Sequence, residues 1–216
     1  MARFDTVLLD LDGTLTDSAP GILNCVEYAL KKYGFTDYRR EDLNPFIGPP
    51  LIDSFERFIP CSHEDAVQCL KYYRERFTDI GIFENSVYPG IEEFLSSLKA
   101  AGIKILLATA KPEGFSVRIL EHFGIANYFD AMHGATMSEE RNTKDAVIAW
   151  ALTHSGSIGR AVMIGDREND ITGAKLNNLP SIGVLWGYGD RKELTDAGAD
   201  YIVDNIASLT QLIKGE

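Results

Sequence analysis

Short apolar runs recur along the chain at 6–9, 103–108, 161–164 and 181–185, each followed by polar or small residues. Unbroken runs of this length are what strands covered on both faces require. Between most of them lie stretches with helical spacing of apolar positions, at 92–101, 115–123, 144–152 and 169–177. Gly102 and Gly124 stand where helix C-termini call for a left-handed residue. Alternation of this kind predicts an α/β fold, a doubly wound parallel sheet with helices on both faces. A weaker strand around 128–133 and a last one at 201–203 complete the expected sheet.

The interval between the first two strands breaks the rhythm. It is far longer than a crossover of one helix and two loops. Residues 19–33 and 64–77 read as amphipathic helices, 42–58 as helical in pieces, and no strand pattern stands out. The pattern predicts a helical insertion entered at 17–20 and left near 87–90. Residues 1–17 and 87–216 then form the α/β core, and 18–86 a second, lid-like domain. No internal repeat or low-complexity tract interrupts this plan.

A chain of 216 residues can hold one sizeable core with a small inserted domain. The formal charge of −11 argues against nucleic acid or an anionic membrane as a general partner. It leaves room for a small anion at a locally positive site. Cys25, Cys61 and Cys69 are odd in number and lack metal-ligand spacing, so reduced thiols are expected. No stretch reaches the ~18 apolar residues of a membrane span. The N-terminal apolar run is too short and too acid-terminated for a signal peptide. A cytoplasmic protein, monomeric or a weak dimer, is expected.

The first apolar run ends in "VLLDLDGTLTDS", where Asp10 and Asp12 stand two residues apart. Strand period aims both carboxylates the same way, and their repulsion asks for a proton or a cation. Ligands in open parallel sheets gather at the carboxyl ends of strands. The polar residues found there are Asp10 and Asp12 after the first run, and Thr109, Ala110 and Lys111 after the second. Asp166 and Asp170, in "GDREND", follow the third. Lys144 sits at a helix start in "RNTK". An all-oxygen set of hard carboxylates suits Mg²⁺, and the absence of a His or Cys cluster argues against zinc. Asp10 and Asp166 are the expected direct ligands and Asp12 contributes its backbone carbonyl. Asp170 acts through water or orients the others.

"DLDGT", Thr109, Lys144 and "GDREND" together resemble the four motifs of the haloacid dehalogenase superfamily. The long helical insertion after the first motif resembles the cap of its phosphoglycolate-phosphatase-like branch. The resemblance covers essentially the whole chain and implies a Rossmann-like core with an inserted helical cap. It also implies a phosphatase. Asp10 would be the nucleophile that forms an aspartyl-phosphate, and Asp12 the general acid and then base. Thr109, Ala110 and Lys144 would hold the phosphoryl oxygens, with Lys144 also stabilising charge beside Asp10. Asp10, Asp12, Asp166 and Asp170 would form the Mg²⁺ site. Asp12 speaks against a dehalogenase, because a departing halide needs no proton. Lys111 is a second candidate for the phosphate-binding lysine, against a solvated loop residue.

A lid-like cap favours small phosphorylated metabolites over phosphoproteins. By position, the loop "FIGPPL" at 46–51 corresponds to the cap loop that faces the site in that branch. It carries no cation to grip a second anion, and Arg39 and Arg40 nearby read as a solvated helix end. Phosphoglycolate, a sugar phosphate and a nucleoside monophosphate remain as substrates. A phosphomutase would use the same motifs. A receiver-type signalling module would lack both the insertion and an acid at position 12. Trp186 and Tyr188, after the 181–185 run, read as packing.

Overall fold

The computed structural model describes residues 2–136 and 141–215. In chain order, β1 (Thr6–Leu9) leads through the two-residue β2 (Thr16–Asp17) into α1 (Ala19–Tyr33), α2 (Leu51–Phe58) and α3 (His63–Phe77). The chain returns through the two-residue β3 (Ser86–Val87), which pairs with β2. Then follow α4 (Ile91–Ala100), β4 (Lys104–Pro112), α5 (Glu113–His122), β5 (Ala131–Ala135), α6 (Lys144–His154) and β6 (Ala161–Gly165). The last elements are α7 (Glu168–Leu176), β7 (Ser181–Val184), α8 (Arg191–Ala197), β8 (Tyr201–Val203) and α9 (Ile206–Lys214).

Six strands form one parallel sheet in the order β5-β4-β1-β6-β7-β8. β1 is central and buried throughout: Val7, Leu8 and Leu9 are fully buried. Each such side chain contributes roughly 1.5–3 kcal/mol by leaving water. Leu8, Leu106 and Met163 from three neighbouring strands pack against Val147, Ile148 and Ala151 of α6 and Ala174 of α7. The strand order runs from β1 outward to β4 and β5 on one side, and to β6, β7 and β8 on the other. The order reverses between β1 and β6, which opens a crevice at the carboxyl ends of these strands.

The chain divides into two compact units, Met1–Thr16 with Val87–Glu216, and Asp17–Ser86. The second unit is helical. Its α1 ends at Gly34, whose φ of 94° closes the helix in the left-handed region. Phe46 packs edge-on against Phe55 and Phe58 at centroid distances of 5.0 and 5.3 Å. Residues Arg40–Phe46 form a 3-10 helix and Leu51–Phe58 an α-helix, the broken helical pattern expected over 42–58.

Two strand boundaries differ from the reading of the sequence. β4 continues past Ala108 to Pro112, so Thr109, Ala110 and Lys111 belong to the strand rather than to a loop after it. Its register against β5 shifts between Thr109 and Pro112, an irregularity that lets polar residues end a strand without leaving it. Gly134 makes room, since a Cβ there would lie 2.6 Å from Glu113 Cα and 2.7 Å from the Lys111 carbonyl oxygen. β5 occupies Ala131–Ala135 instead of 128–133. Residues Ala126–Tyr128 form a 3-10 turn, held by the Tyr128 N–H on the Ile125 carbonyl at 3.2 Å.

Candidate active site

Asp10 stands one residue past β1, where its backbone N–H donates to the Ile164 carbonyl of β6 at 3.0 Å. Asp166 follows β6 directly, and Asp170 lies in the first turn of α7. The three side chains are buried, at 8%, 0% and 1% exposure. Carboxylate oxygens of Asp10, Asp166 and Asp170 lie within 4.8 Å of one another. Glycines permit this crowding. A Cβ on Gly165 would lie 2.1 Å from Asp170 Cγ, and one on Gly13 would lie 2.1 Å from Asp166 Oδ2. Gly13 also has a φ of 79°, which favours glycine independently.

One ammonium reaches the cluster. Lys144, the first residue of α6, places Nζ 2.6 Å from Asp10 Oδ1 and 2.7 Å from Asp170 Oδ1. The Ala108 carbonyl accepts from the same ammonium at 3.2 Å. Gly173 of α7 clears the path of the lysine stem, since a Cβ there would meet Lys144 Cγ at 3.0 Å.

Three buried carboxylates against one ammonium leave negative charge uncompensated. Burial pushes the Asp10 carboxyl up to about 6, with the charge of Asp170 adding to it; Lys144 and the Thr109 hydroxyl pull the other way. Burial likewise holds Asp166 well above the ordinary carboxylate range, reinforced by Asp170 and Asp10. Burial disfavours the charge on Lys144, but the combined pull of Asp10 and Asp170 raises it above the usual lysine value. The excess charge and the all-oxygen donors fit a hard divalent cation.

Asp12 belongs to a different pair. Lys111 Nζ donates to both of its carboxylate oxygens, at 2.8 and 2.7 Å. The Lys111 side chain is 7% exposed, which corrects the alternative of a solvated loop residue. The two neighbouring aspartates are thus relieved by two different lysines, and the Asp12 carboxylate lies outside the three-carboxylate group. Thr109 is buried and lowers the Asp10 carboxyl, while its hydroxyl accepts the Lys111 N–H at 3.3 Å. Ala110 lies between them, half-buried at the strand end.

Sequence reasoning missed the loop after β7. The Tyr188 backbone N–H donates to Asp166 Oδ2 at 2.7 Å, and the Trp186 indole donates to the Thr14 carbonyl at 3.0 Å. The Thr14 hydroxyl is 3.3 Å from Asp166 Oδ1. Gly187 and Gly189 bring this loop in: Cβ atoms there would lie 2.3 Å from the Gly13 carbonyl oxygen and 1.9 Å from the Asp166 carbonyl oxygen. The two glycines flanking Tyr188 were the available signal.

The sequence profile of the haloacid dehalogenase-like hydrolases matches residues 7–184. The chain belongs to this family. It is 35% identical over 213 residues to a 5'-nucleotidase of Pseudomonas aeruginosa, covering 98% of this chain and 96% of that one. It is also 34% identical to the tyrosine-protein kinase PtkA of Mycobacterium tuberculosis, over 95% of this chain and 70% of the kinase. Similarity to a phosphoglycolate phosphatase of Vibrio parahaemolyticus is 27% identity, over 96% and 95%. The crystal structure of a predicted phosphatase from Clostridium acetobutylicum superposes with a TM-score of 0.90 at 48% identity, covering 96% of this chain and 97% of that one. The family, together with the nucleotidase, the phosphoglycolate phosphatase and the predicted phosphatase, makes the chain a phosphatase, a hydrolase of phosphoric monoesters.

Proposed function

We propose that the protein is a Mg²⁺-dependent phosphatase of small phosphate monoesters that works through an aspartyl-phosphate on Asp10. The observation that carries this is the buried trio Asp10, Asp166 and Asp170 with Lys144 set among them, at the crevice between β1 and β6. Mg²⁺ held by these carboxylates and the Asp12 backbone carbonyl would supply the positive charge that lets an anionic nucleophile approach an anionic phosphate.

The chain's own groups account for the rest. The Asp10 carboxylate attacks phosphorus, the bond from phosphorus to the ester oxygen breaks, and the leaving alkoxide takes a proton from Asp12. Asp12 then accepts a proton from the water that attacks the phosphoryl group, which frees Asp10. Lys144 keeps Asp10 ionised and, with Thr109 and the backbone at Ala110, holds the phosphoryl oxygens. Residues 18–86 act as a lid-like cap that sets substrate choice.

Phosphoglycolate-phosphatase-like chemistry is the reading carried over from the sequence motifs. The relative at 35% identity is named a 5'-nucleotidase and that at 27% a phosphoglycolate phosphatase, which supports nucleoside 5'-monophosphates as the first class to test. The experiment is a phosphate-release screen over nucleoside monophosphates, sugar phosphates and phosphoglycolate with Mg²⁺. Phosphate release from members of this panel is expected. An isomerised sugar phosphate without free phosphate would indicate a mutase instead.

A further inference from the structure

We propose that Lys111 is a positioning residue for Asp12, so that β4 supplies a partner to each of the two opening aspartates. The inference rests on the acid–base reading of Asp12 given above. β1 and β4 run parallel with Leu9 beside Leu107, so residues 10–12, just past β1, follow the same direction as 108–111, the closing residues of β4. The two-residue step from Asp10 to Asp12 is matched by the two-residue step from Thr109 to Lys111. Lys111 meets Asp12, and Thr109 lowers the Asp10 carboxyl. The register shift after Thr109 belongs to this arrangement, because it frees the strand end from regular pairing with β5 where Lys111 turns to Asp12.

Two features make the contact more than a surface pair. The ammonium takes both carboxylate oxygens, at 2.8 and 2.7 Å, which fixes the carboxylate plane as well as its position. The Lys111 side chain is 7% exposed and that of Asp12 is 18% exposed, so water screens the pair weakly. An exposed ion pair at these positions would orient nothing. Asp12 lies beyond β1, where the bridge to Thr16 and the Lys111 ammonium hold it. A proton donor aimed at a leaving oxygen loses rate steeply when its geometry loosens.

The test is a double-mutant cycle on phosphate release from an alkyl phosphate and from p-nitrophenyl phosphate, using wild type, Lys111→Met, Asp12→Asn and the double variant. Removal of an orienting partner costs roughly 10–100-fold in activity. Lys111→Met should show a loss of this size in kcat on the alkyl ester and a several-fold smaller one on p-nitrophenyl phosphate, whose leaving group needs little protonation. In the Asp12→Asn background the same substitution should cost no more than about twofold, the scatter of independent effects. An equal loss in both backgrounds, or a rise in KM alone, would overturn the inference and make Lys111 a direct phosphate ligand. If Asp12→Asn itself shows no leaving-group dependence, the acid–base reading of Asp12 fails instead. Residual p-nitrophenyl phosphate turnover in each variant reports an intact fold.

Discussion

Asp10 carries opposed demands. As the proposed nucleophile it must be ionised to attack, yet its burial favours the neutral acid and pushes the carboxyl from 3.8 to about 6. That shift converts to roughly 3 kcal/mol against the ionised form in the folded chain. The group is raised in the folded state, so its contribution to stability is full below about pH 4 and is lost as pH rises through about 6. In excess chelator, wild type should therefore lose melting temperature relative to Asp10→Asn across this window; a flat difference would contradict the burial account. Saturating Mg²⁺ should remove most of the loss. Asp12 has a different role, and Asp12→Asn should lower turnover of alkyl phosphates by roughly 10²–10⁴-fold. Much of this was legible in the sequence, because Asp10, Thr109, Lys144, Asp166 and Asp170 each sit just past an apolar run, at its end, or at a helix start. The pairing of Lys111 with Asp12 was not, since it joins groups 99 positions apart and no local pattern encodes that. The Tyr188 contact was equally hidden, because a backbone N–H is the same in every residue but proline.

Elements show where apolar patterning stops being informative. β1, β6 and β8 were readable from their runs, whereas the last residues of β4 looked like a loop because Thr109, Lys111 and Pro112 are not core residues. They stay in the strand through pairing with β5, a contact between distant segments. The loop after β7 was read as ordinary packing for a similar reason. Its glycines allow the close approach, and the Tyr188 backbone N–H, not an aromatic ring, makes the bond to Asp166. Gly187→Ala tests this directly. The added methyl would lie 2.3 Å from the Gly13 carbonyl oxygen and 2.4 Å from Asp166 Oδ2, and backbone cannot yield cheaply. The expected cost is about 1–3 kcal/mol of stability. The increase of melting temperature with Mg²⁺ should shrink in the same variant. A wild-type response to Mg²⁺ would mean that the loop does not shape the carboxylate group.

At the scale of the molecule, chemistry and choice of substrate are proposed to reside in different parts of the chain. The residues assigned to phosphoryl transfer all fall within Met1–Thr16 and Val87–Glu216. The Asp17–Ser86 unit contains the segment 47–50, which offers Gly48, Pro49 and Pro50 and no cation. Pro50 is exposed and precedes α2, so Pro50→Arg should fold normally. If this segment sets substrate choice as proposed, the variant should raise kcat/KM for phosphoglycolate relative to an ester with an uncharged leaving group, since a cation attracts a second anion. An unchanged ratio would separate this segment from substrate choice. No helix among the described residues is long and apolar enough to cross a membrane. The net charge of −11 makes the local balance at the carboxylate group decisive for any anionic substrate. Phosphate release measured side by side for wild type and Asp10→Asn, each in Mg²⁺ and in excess chelator, reads that balance. Turnover is expected only for wild type in Mg²⁺; full turnover in chelator, or in Asp10→Asn, would contradict the account.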